Sequence, residues 1–508
     1  MNATDKKGKV YLVGAGPGRV DLITVRGLEL LKAADCVICD KLANPALLRS
    51  ARADAEIIRV PKRIGADSFT QPQINQLLIQ KALEGKTVIR LKGGDPLIFG
   101  RGTEEAIALA EEGIDFEIVP GITAGIAAPA YSGISITDRR FASQVVFVTG
   151  KEAEGKAESN IDWGLLARFR GTIVFYMGME NLDFIITHLL QNGLPAETPV
   201  AVIADATLPT QRIVTGSADS IVENCAQEKI VPPAVIVIGK AAKTDPRLNW
   251  FARQPLFGKT IVVTRDEKGN AEFVTKVINK GGNPIEFPTI KTKSLTDRNE
   301  FLTCLTKVRE YDWLIFTSAN GVDFFFEAIA KLGKDSRSLG AAKIAAIGSE
   351  TANALSRFAV KADFVPCEFT GKALAAELMD FTPLQGKKVL LLRSDLASDE
   401  LAELLTKAQA AIDNVPVYAV KKNLADGSAL AKMLAENKID WLTFASPSSA
   451  KSFFEQIDAE SLKSNRVRIA SIGPVTSKQL QSLRVRVDVE PAEHTINGLL
   501  VAIEEACR

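Results

Sequence analysis

Short apolar runs alternate with amphipathic stretches along the first part of this 508-residue chain. Residues 9–13 form an apolar run, a glycine loop follows, and a helical pattern then extends from Thr24, a capping residue, to Ala34. Further runs of strand length occupy residues 36–39, 57–60, 88–91 and 116–119. Each stretch of strand, helix and strand takes about 30 residues, as in a βαβ unit, so we predict an α/β fold with parallel strands.

A glycine-rich or charged segment follows each of these predicted strands. The segments are residues 14–18, Asp40, residues 62–65, residues 92–102 and residues 120–124. Open α/β sheets bind ligands at the carboxyl ends of their strands, so we expect these segments to line one crevice. Each segment taken alone is equally well an ordinary turn between a strand and a helix. Their common placement favours a ligand site.

The loop at residues 92–102 has the strongest ligand pattern of the five. Gly93 and Gly94 would let a bound molecule reach backbone amides, Asp95 supplies a fixed acceptor, and Pro96 stiffens the turn. Thr103 then opens an amphipathic helix with a capping residue at its start. The sequence therefore predicts a strand, a ligand loop and a capped helix.

A second set of strands is predicted after residue 144, with fewer helices between them. They lie at residues 145–149, 172–177, 200–203, 212–215 and 235–238. The close spacing around residue 210 indicates a hairpin, hence a mixed sheet and a second lobe. Met177 ends one of these strands, and core packing is the default interpretation of a methionine there. The polar residues 241–255 are predicted to be a linker or a docking segment.

The second half of the chain contains an internal repeat. Three segments recur at an offset of 128 or 125 positions: residues 259–265 with 387–393, 312–318 with 440–446, and 344–348 with 469–473. Each copy alternates apolar strands with helical stretches, so we predict two Rossmann-like α/β lobes joined by a hinge, with a ligand between them. Serine, threonine and glycine follow these strands at helix starts, where they either cap the helix or bind carboxylates.

Composition and charge indicate which partners and which cellular compartment to expect. Lys and Arg number 62 against 61 Asp and Glu, so the balance suggests neither nucleic acid nor a membrane surface as a partner. The six cysteines are scattered and the N-terminus lacks the apolar core of a signal peptide, so we expect a reducing cytoplasm. Cys36 and Cys39 lie on a predicted buried strand, where positions three apart face opposite ways, and no metal site is predicted.

Seven motifs follow one another in the first half. They are Gly-Ala-Gly-Pro-Gly at 14–18, Asp40, Lys-Arg-x-Gly at 62–65, Arg-Leu-Lys-Gly-Gly-Asp-Pro at 90–96, Phe-Gly-Arg-Gly at 99–102, Pro-Gly-Ile-Thr-Ala at 120–124 and Phe-Tyr-Met-Gly at 175–178. In this order they resemble the uroporphyrinogen-III C-methyltransferases, from residue 9 to residue 251. The resemblance implies a two-lobed tetrapyrrole-methylase fold that uses S-adenosyl-L-methionine to methylate uroporphyrinogen III twice, giving precorrin-2 by way of precorrin-1.

The resemblance also implies roles for individual residues and a homodimer through the methyltransferase domain. Asp40 is implied as the proton acceptor and Lys62 as the proton donor. The implied cofactor-binding residues are Pro17, Gly93, Gly94, Asp95, Ile98, Thr123, Ala124, Met177 and Ala206. The chemistry agrees, because a ring carbon that attacks a methyl sulfonium needs in-line placement, and a nearby carboxylate can take the released proton.

Three positions depart from the pattern of that family. Asp67 and Asp138 stand where histidine is usual, and Ala206 stands where glycine is usual. The two acids lie near the expected position of a polycarboxylate substrate, so either they make no direct contact or bases compensate for them. Arg139 and Arg140 are the nearest bases, and we assign substrate binding to Arg139.

Six motifs of the second half resemble uroporphyrinogen-III synthase, which cyclises hydroxymethylbilane with inversion of the last pyrrole. They are Thr-Ser-Ala-Asn at 317–320, Ile-Gly-Ser-Glu-Thr-Ala at 347–352, Val-Tyr at 417–418, Ser-Pro-Ser-Ser at 446–449, Ile-Gly-Pro-Val-Thr at 472–476 and Glu-His-Thr-Ile at 493–496. The resemblance puts Ser318, Thr351, Ser446 and Thr476 in the substrate cleft. Tyr418 is the candidate that assists departure of the hydroxymethyl oxygen; a structural tyrosine is the alternative. No cofactor is implied here.

We therefore predict a bifunctional enzyme in three segments. Residues 1–243 form the methyltransferase, 244–256 the linker and 257–508 the synthase. Small tetrapyrroles are the expected partners, with no nucleic acid, membrane or metal. The alternative is a methylase of another precorrin joined to a non-catalytic, two-lobed binding module.

Overall fold

The computed structural model of this chain describes residues 7–60, 69–152, 159–243, 245–265, 267–423, 427–462 and 466–508. They form two compact units, one of residues 1–259 with 278–283 and the other of residues 260–277 with 284–508. Each unit is built of two β-sheets with helices packed against them. No helix in the described part of the chain is both long and apolar enough to cross a membrane.

The first sheet of the first unit is entirely parallel, as predicted. Its strands lie in the order β3, β2, β4, β1, β5. The elements are β1 (Lys9–Gly14), α1 (Val25–Ala33), β2 (Cys36–Asp40), β3 (Glu56–Val60), α2 (Gln71–Leu83), β4 (Thr87–Lys92), α3 (Gly102–Glu111), β5 (Phe116–Val119) and α4 (Ala124–Tyr131). Every strand therefore ends at one edge of the sheet, the carboxyl edge.

Helices cover both faces of this sheet, so its central strands are apolar throughout. Leu12 and Ile38 pack with α2 and α3 on one face, and Val13 and Leu91 pack with α1 on the other. Burying each such side chain contributes about 1.5–3 kcal/mol. Thr24 caps α1 by accepting a hydrogen bond from Gly27 N, as predicted.

The predicted cap of α3 is wrong. The helix begins at Gly102, and the residue before it, Arg101, has a left-handed φ of 61° and no side-chain cap. Arg101 ion-pairs with Glu104 at 2.7 Å instead. The sequence pattern around Thr103 suggested a cap because threonine favours that position, but Arg101, with its left-handed φ, takes the cap position two residues earlier.

The second sheet of this unit is mixed, as predicted, in the order β6, β7, β10, β8, β9. Only β6 and β7 run parallel. The elements are β6 (Val145–Thr149), α5 (Trp163–Ala167), β7 (Thr172–Tyr176), α6 (Leu182–Gln191), β8 (Pro199–Ala204), β9 (Arg212–Ser217), α7 (Ile221–Gln227) and β10 (Ala234–Ile238). One face packs on α6 and α7, and the other receives Ala128 of α4.

The segment that follows β10 packs against α4. The Trp250 indole N–H donates to the carbonyl oxygen of Ala130 at 3.2 Å, and its ring lies 4.9 Å from that of Tyr131. Phe251 and Leu256 are fully buried. Of the two interpretations of residues 241–255, these contacts favour a docking segment.

The second unit contains the remaining elements. The strands are β11 (Thr260–Val263), β12 (Asn283–Glu286), β13 (Ile290–Ser294), β14 (Trp313–Phe316), β15 (Lys343–Ala346), β16 (Lys388–Ser394), β17 (Ala411–Lys422), β18 (Trp441–Phe444) and β19 (Arg468–Ser471). The helices are α8 (Glu267–Asn279), α9 (Asn299–Thr306), α10 (Ala319–Lys331), α11 (Ser349–Ser356), α12 (Gly371–Phe381), α13 (Glu400–Lys407), α14 (Ser428–Ala435), α15 (Pro447–Phe454), α16 (Pro474–Ser482) and α17 (Ile496–Cys507).

Two α/β lobes form from these elements, but they do not coincide with the two sequence repeats. Lobe A has the sheet β12, β11, β18, β19, and lobe B has the sheet β13, β17, β16, β14, β15. In the repeat, β11 matches β16, β14 matches β18, and β15 matches β19. Lobe A therefore takes β11 from the first copy of the repeat and β18 and β19 from the second. Lobe B takes β16 from the second copy and β14 and β15 from the first.

A pair of aspartates fixes this exchange of strands in the same way in both lobes. The Asp312 carboxylate, just before β14, accepts from the backbone N–H of Lys388 at 2.9 Å. Its counterpart Asp440, just before β18, accepts from the backbone N–H of Thr260 at 2.8 Å. Each aspartate thus holds the first strand of the other repeat, which explains why this residue recurs at the same repeat position.

Candidate active sites

The loops after β1, β4 and β5 meet in direct contact at three glycines. A Cβ added at Gly121 would stand 2.2 Å from the carbonyl oxygen of Gly94 and 2.7 Å from Cα of Gly14. Gly16 and Gly94 also exchange two backbone hydrogen bonds, of 3.2 and 2.7 Å. No side chain fits between these loops, so glycine is required by the close approach of the backbones.

Gly93 and Gly94 both lie where the backbone of the loop passes close to other segments. The amide of Gly94 donates to the carbonyl oxygen of Gly16 at 2.7 Å, so this N–H is used within the protein. Gly94 has a φ of 69°, and a Cβ added to it would be in ordinary contact with Cα of Thr123 at 3.8 Å. A Cβ at Gly93 would stand 2.8 Å from Cβ of Leu42.

Asp95 is the acceptor that holds this loop in shape. One carboxylate oxygen accepts from the backbone N–H groups of Leu97 and Ile98 at 2.8 and 3.2 Å, and the other accepts from Gly121 N at 3.0 Å. The carboxylate therefore ties the loop after β4 to the loop after β5. The predicted fixed acceptor is present, and its partners are backbone amides of the protein.

Tyr176, at the end of β7, joins the second sheet to this edge. Its hydroxyl oxygen accepts from Gly125 N at 2.8 Å and lies 2.8 Å from Oγ1 of Thr123. Its ring stands 5.0 Å from that of Phe99. Burial raises the pKa of Tyr176, which keeps the hydroxyl neutral. The start of α4, the loop after β4 and the end of β7 are thus held together.

Met177 does not fill the core, contrary to the default interpretation. Its side chain is 51% exposed and its backbone has a left-handed φ of 52°. Ile98, on the loop after β4, is also partly exposed, at 38%. Both residues thus offer accessible apolar surface: Met177 directly follows Tyr176, and Ile98 precedes Phe99, whose ring contacts Tyr176.

Pro17 and Ala206 lie on two loops that contact each other. The N–H of Arg19 donates to Oγ1 of Thr207 at 3.0 Å, and a Cβ at Gly18 would stand 3.2 Å from the carbonyl oxygen of Ala206. The left-handed positions in this turn are Asp205 and Thr207, with φ of 47° and 68°. Ala206 is not one of them, which explains why alanine fits here.

Asp40 belongs to a cluster of charged residues that is otherwise buried. The guanidinium of Arg90 donates to the Asp40 carboxylate and, at 3.1 Å, to Glu105. The ammonium of Lys92 donates to both carboxylate oxygens of Glu105 at 3.0 Å, and the amide of Gln71 donates to one of them at 3.1 Å. The pKa of Lys92 is lowered mainly by burial and, to a smaller extent, by the charge of Arg90.

Sequence reasoning missed Glu105, Arg90 and Lys92 as members of one cluster. Glu105 lies in the first turn of α3, where an acid is usually solvated, yet it is fully buried. Arg90 and Lys92 lie among apolar residues on β4, a strand that is buried from Val88 onward. Two cations at alternate positions of a central strand were the available signal, because such residues are almost never fully buried unless they are paired.

Two of the predicted residues, Lys62 and Asp67, lie outside the described residues. Asp138, in contrast, is paired with Arg140 at 2.7 Å, and that pairing lowers the pKa of Asp138 to about 2. Arg139 is exposed and makes no hydrogen bond or ion pair with another described residue. Of the two compensating bases considered, Arg140 is thus engaged by Asp138, and Arg139 remains accessible to a substrate.

The cysteine pattern at Cys36 and Cys39 is structural, as predicted. Cys36 packs in the core on one face of β2 and Cys39 in the core on the other face. Burial raises the pKa of each thiol to about 11. Among the described residues, no group of three or more His, Cys, Asp or Glu could hold a metal ion.

In lobe B, Tyr418 contacts Ser318. The two hydroxyl oxygens lie 3.0 Å apart, and Ser318 Oγ also accepts from Gly321 N at 3.0 Å, capping α10. The ring of Tyr418 is stacked on Phe324 at 5.6 Å. The tyrosine hydroxyl is therefore held at the N-terminus of α10, where the helix dipole favours negative charge. Thr351 lies buried in the first turn of the neighbouring helix α11.

Lobe A repeats part of this arrangement. Ser446 caps α15 by accepting from Ser449 N at 3.1 Å, and its Oγ lies 3.0 Å from that of Ser448. Thr476 is buried in the first turn of α16. Both serines at these helix starts thus act as caps, and each lobe carries two helix N-termini on neighbouring parallel strands.

Two family models match this chain. Residues 9–222 match the tetrapyrrole (corrin/porphyrin) methylases, and residues 271–501 match uroporphyrinogen-III synthase HemD. Together these ranges include the residues described above around Asp40 and Gly94 and those around Tyr418 and Ser446. Asp40, Gly94 and Thr123 fall in the first match, and Ser318 and Tyr418 fall in the second.

Three relatives extend these matches. Porphyrin biosynthesis protein HemD of Ruminiclostridium josui is 34% identical over 97% of this chain and 97% of its own length. Uroporphyrinogen-III C-methyltransferase of Bacillus subtilis is 40% identical over 69% of this chain and 72% of its own length. The S-adenosyl-L-methionine-dependent uroporphyrinogen III methyltransferase of Methanosarcina barkeri is 47% identical over 46% of this chain and 91% of its own length.

Proposed function

We propose a specific pair of reactions from one premise: this chain belongs to the family in which a tetrapyrrole methyltransferase is fused to a uroporphyrinogen-III synthase. It is a bifunctional enzyme of tetrapyrrole biosynthesis, and its methyltransferase half uses S-adenosyl-L-methionine. The synthase half closes hydroxymethylbilane to uroporphyrinogen III. The methyltransferase half then methylates uroporphyrinogen III twice, giving precorrin-1 and then precorrin-2.

The observation that carries the methyltransferase proposal is the contact of Gly14, Gly94 and Gly121 at the carboxyl edge. It brings the loops after β1, β4 and β5 to one point, and the loop at Gly94 reaches the start of α4, where a Cβ added to Gly94 would lie 3.8 Å from Cα of Thr123. Ile98 and Met177 add accessible apolar surface next to it. Accessible apolar surface beside a loop contact at the carboxyl edge fits the apolar groups of S-adenosyl-L-methionine.

Asp40 is proposed as the group that takes the proton. When bound, S-adenosyl-L-methionine supplies a methyl group on positively charged sulfur. The ring carbon forms the new carbon–carbon bond as the sulfur–methyl bond breaks, and the macrocycle then releases a proton. The Asp40 carboxylate is held by Arg90 at the carboxyl edge and is the one partly exposed member of its cluster among the described residues. Lys62 is proposed as the donor.

The contact between Tyr418 and Ser318 supports the synthase proposal. A hydroxyl held at a helix N-terminus is suited to donate a hydrogen bond to a leaving oxygen, because the dipole stabilises the resulting negative charge. Ser446, Thr351 and Thr476 are proposed to bind the carboxylates of the substrate from the starts of their helices. Arg139 is proposed to bind a carboxylate of the methyltransferase substrate.

Two assays on the full chain test the pair of reactions. Freshly prepared hydroxymethylbilane without S-adenosyl-L-methionine should give the type III isomer; formation of the spontaneous type I isomer alone would reduce the second half to a binding module. Uroporphyrinogen III with S-adenosyl-L-methionine should gain two methyl groups by mass spectrometry. Methylation of a later precorrin, with none on uroporphyrinogen III, would favour the alternative substrate instead.

A further inference from the structure

We propose that Arg90 and Glu105 are positioning residues for Asp40: together they fix the carboxylate that takes the proton during methyl transfer. The inference rests on the role proposed for Asp40. It goes beyond that role because neither Arg90 nor Glu105 is accessible to a ligand, so both must act through Asp40.

The geometry gives the cluster a single accessible member. The side chains of Arg90, Glu105 and Lys92 are 0%, 0% and 1% exposed, whereas the Asp40 side chain is 19% exposed at the end of β2. Arg90 is held from three sides, by Asp40, by Glu105 and by the carbonyl oxygen of Ile38 at 3.2 Å. The Asp40 carboxylate therefore receives a donor whose orientation is fixed entirely inside the protein.

Glu105 determines where that donor lies. Its carboxylate accepts from Arg90, from both contacts of Lys92 and from Gln71, and Gln71 also donates to Asn75 at 3.0 Å. The network therefore spans β4, α3 and α2. A rotation of Glu105 would break several hydrogen bonds at once, so the guanidinium has one favoured position.

Stability alone does not account for this cluster. Removing a charge from water costs several kcal/mol, and replacing a buried ion network with apolar side chains of similar volume is often neutral or stabilising. Two cations and two carboxylates here balance one another. A buried ion network is therefore a weak source of stability, and this one ends in a single accessible carboxylate at the ligand edge, on which it can act.

The charged surroundings of Asp40 determine how each variant should behave. Besides Arg90, Lys92 and Glu105, the charged or titratable groups near it in the described residues are Cys39 and Lys41 on either side of it and Arg59 on β3. Removing a cation makes the carboxylate easier to protonate, and removing the second carboxylate makes it harder. A purely structural role predicts no such pair of opposite effects.

The experiment measures kcat for methylation of uroporphyrinogen III against pH in the full chain. For Arg90→Gln we expect the acid limb to move to higher pH, because the carboxylate loses its opposite charge. For Glu105→Gln we expect the limb to move down and the plateau to fall. Affinity for S-adenosylhomocysteine, measured calorimetrically, should stay within about twofold of the wild type, or about 0.4 kcal/mol.

Glu56→Gln is the matched control. Glu56 pairs with Lys81 and Lys86 at the opposite end of the same sheet, so the same chemical change there should leave the profile unchanged. If a single variant does not fold, Arg90→Gln combined with Glu105→Gln replaces it, because this pair removes one charge of each sign. Its acid limb should also move up, since Asp40 has lost its guanidinium.

Two results overturn the proposal. Folded variants with the acid limb of the wild type would show that the cluster does not act on Asp40, and loss of folding in all three variants would assign it to stability. Failure of the underlying role is a separate result, seen in Asp40→Asn. Wild-type turnover in that variant would remove Asp40 from the mechanism, whatever the other variants do.

Discussion

Replacing Gly121 with alanine tests whether the contact of three glycines forms the cofactor site. The added Cβ would stand 2.2 Å from the carbonyl oxygen of Gly94, whereas ordinary contact begins near 3.4 Å. Both groups near it are backbone, so no side chain can rotate away, and the two loops must separate by about 1 Å. A displacement of that size can cost about 100-fold in rate when it misplaces reacting groups.

The same variant should lose stability by about 1–3 kcal/mol, the usual cost of overpacking a well-packed contact. Its backbone conformation adds no strain, because Gly121 does not have a positive φ. We expect affinity for S-adenosylhomocysteine to fall at least tenfold, which is about 1.4 kcal/mol, measured by calorimetry alongside urea unfolding.

Gly164→Ala is the control for this experiment. Gly164 lies in α5, and the nearest atom to its added Cβ is 3.4 Å away, so alanine should be tolerated there and should favour the helix. Wild-type affinity and turnover in Gly121→Ala, with the control also unchanged, would refute the idea that close approach of these loops forms the cofactor site.

Three further predictions follow from the described contacts. Asp40→Asn should keep its affinity for S-adenosylhomocysteine but lose most methyl transfer, measured by calorimetry and product formation; equal losses in both would point to misfolding. Tyr418→Phe should reduce formation of the type III isomer more than Ser318→Ala, because it removes the hydroxyl itself; the reverse order would make Tyr418 structural. At pH 8 the exposed Cys367 should react with iodoacetamide in the folded chain while Cys39, whose buried thiol has a pKa of about 11, should not; mass spectrometry distinguishes them.

The parallel sheet and its loops could be predicted from the sequence because each depends on local pattern. Strands buried on both faces read as apolar runs, and the glycine motifs follow them directly. The conformations of Gly94 and Met177 could not be predicted in the same way. A left-handed φ in methionine is uncommon, and Tyr176 beside it is held by Gly125 of α4, which lies in another part of the chain.

The cluster around Asp40 escaped prediction for a different reason. Charged residues on a strand or in the first turn of a helix are usually solvated, and the two cations on β4 signalled a buried partner without identifying it as Glu105 of α3. The partners of Glu105 lie 13 to 34 positions away, on β4 and α2. Their burial depends on how these consecutive elements pack against α3, so only the fold reveals that these charges act as a group.

The position of Tyr418 follows from the exchange of strands in the second unit and could not be predicted from the sequence repeat alone. Because each repeat contributes strands to both lobes, the chain passes between them near Thr289 and again near Asn423. These two passages are bonded to each other, since Asn423 N donates to Thr289 O at 2.9 Å, and Ser452 of lobe A donates to the same oxygen at 2.7 Å. Tyr418 lies on β17 shortly before the second passage and contacts Ser318 of lobe B. Tyr418, the residue proposed to assist the leaving oxygen, therefore lies beside the connection between the lobes. A substrate that is bound by both lobes would lie near this connection, within reach of Tyr418.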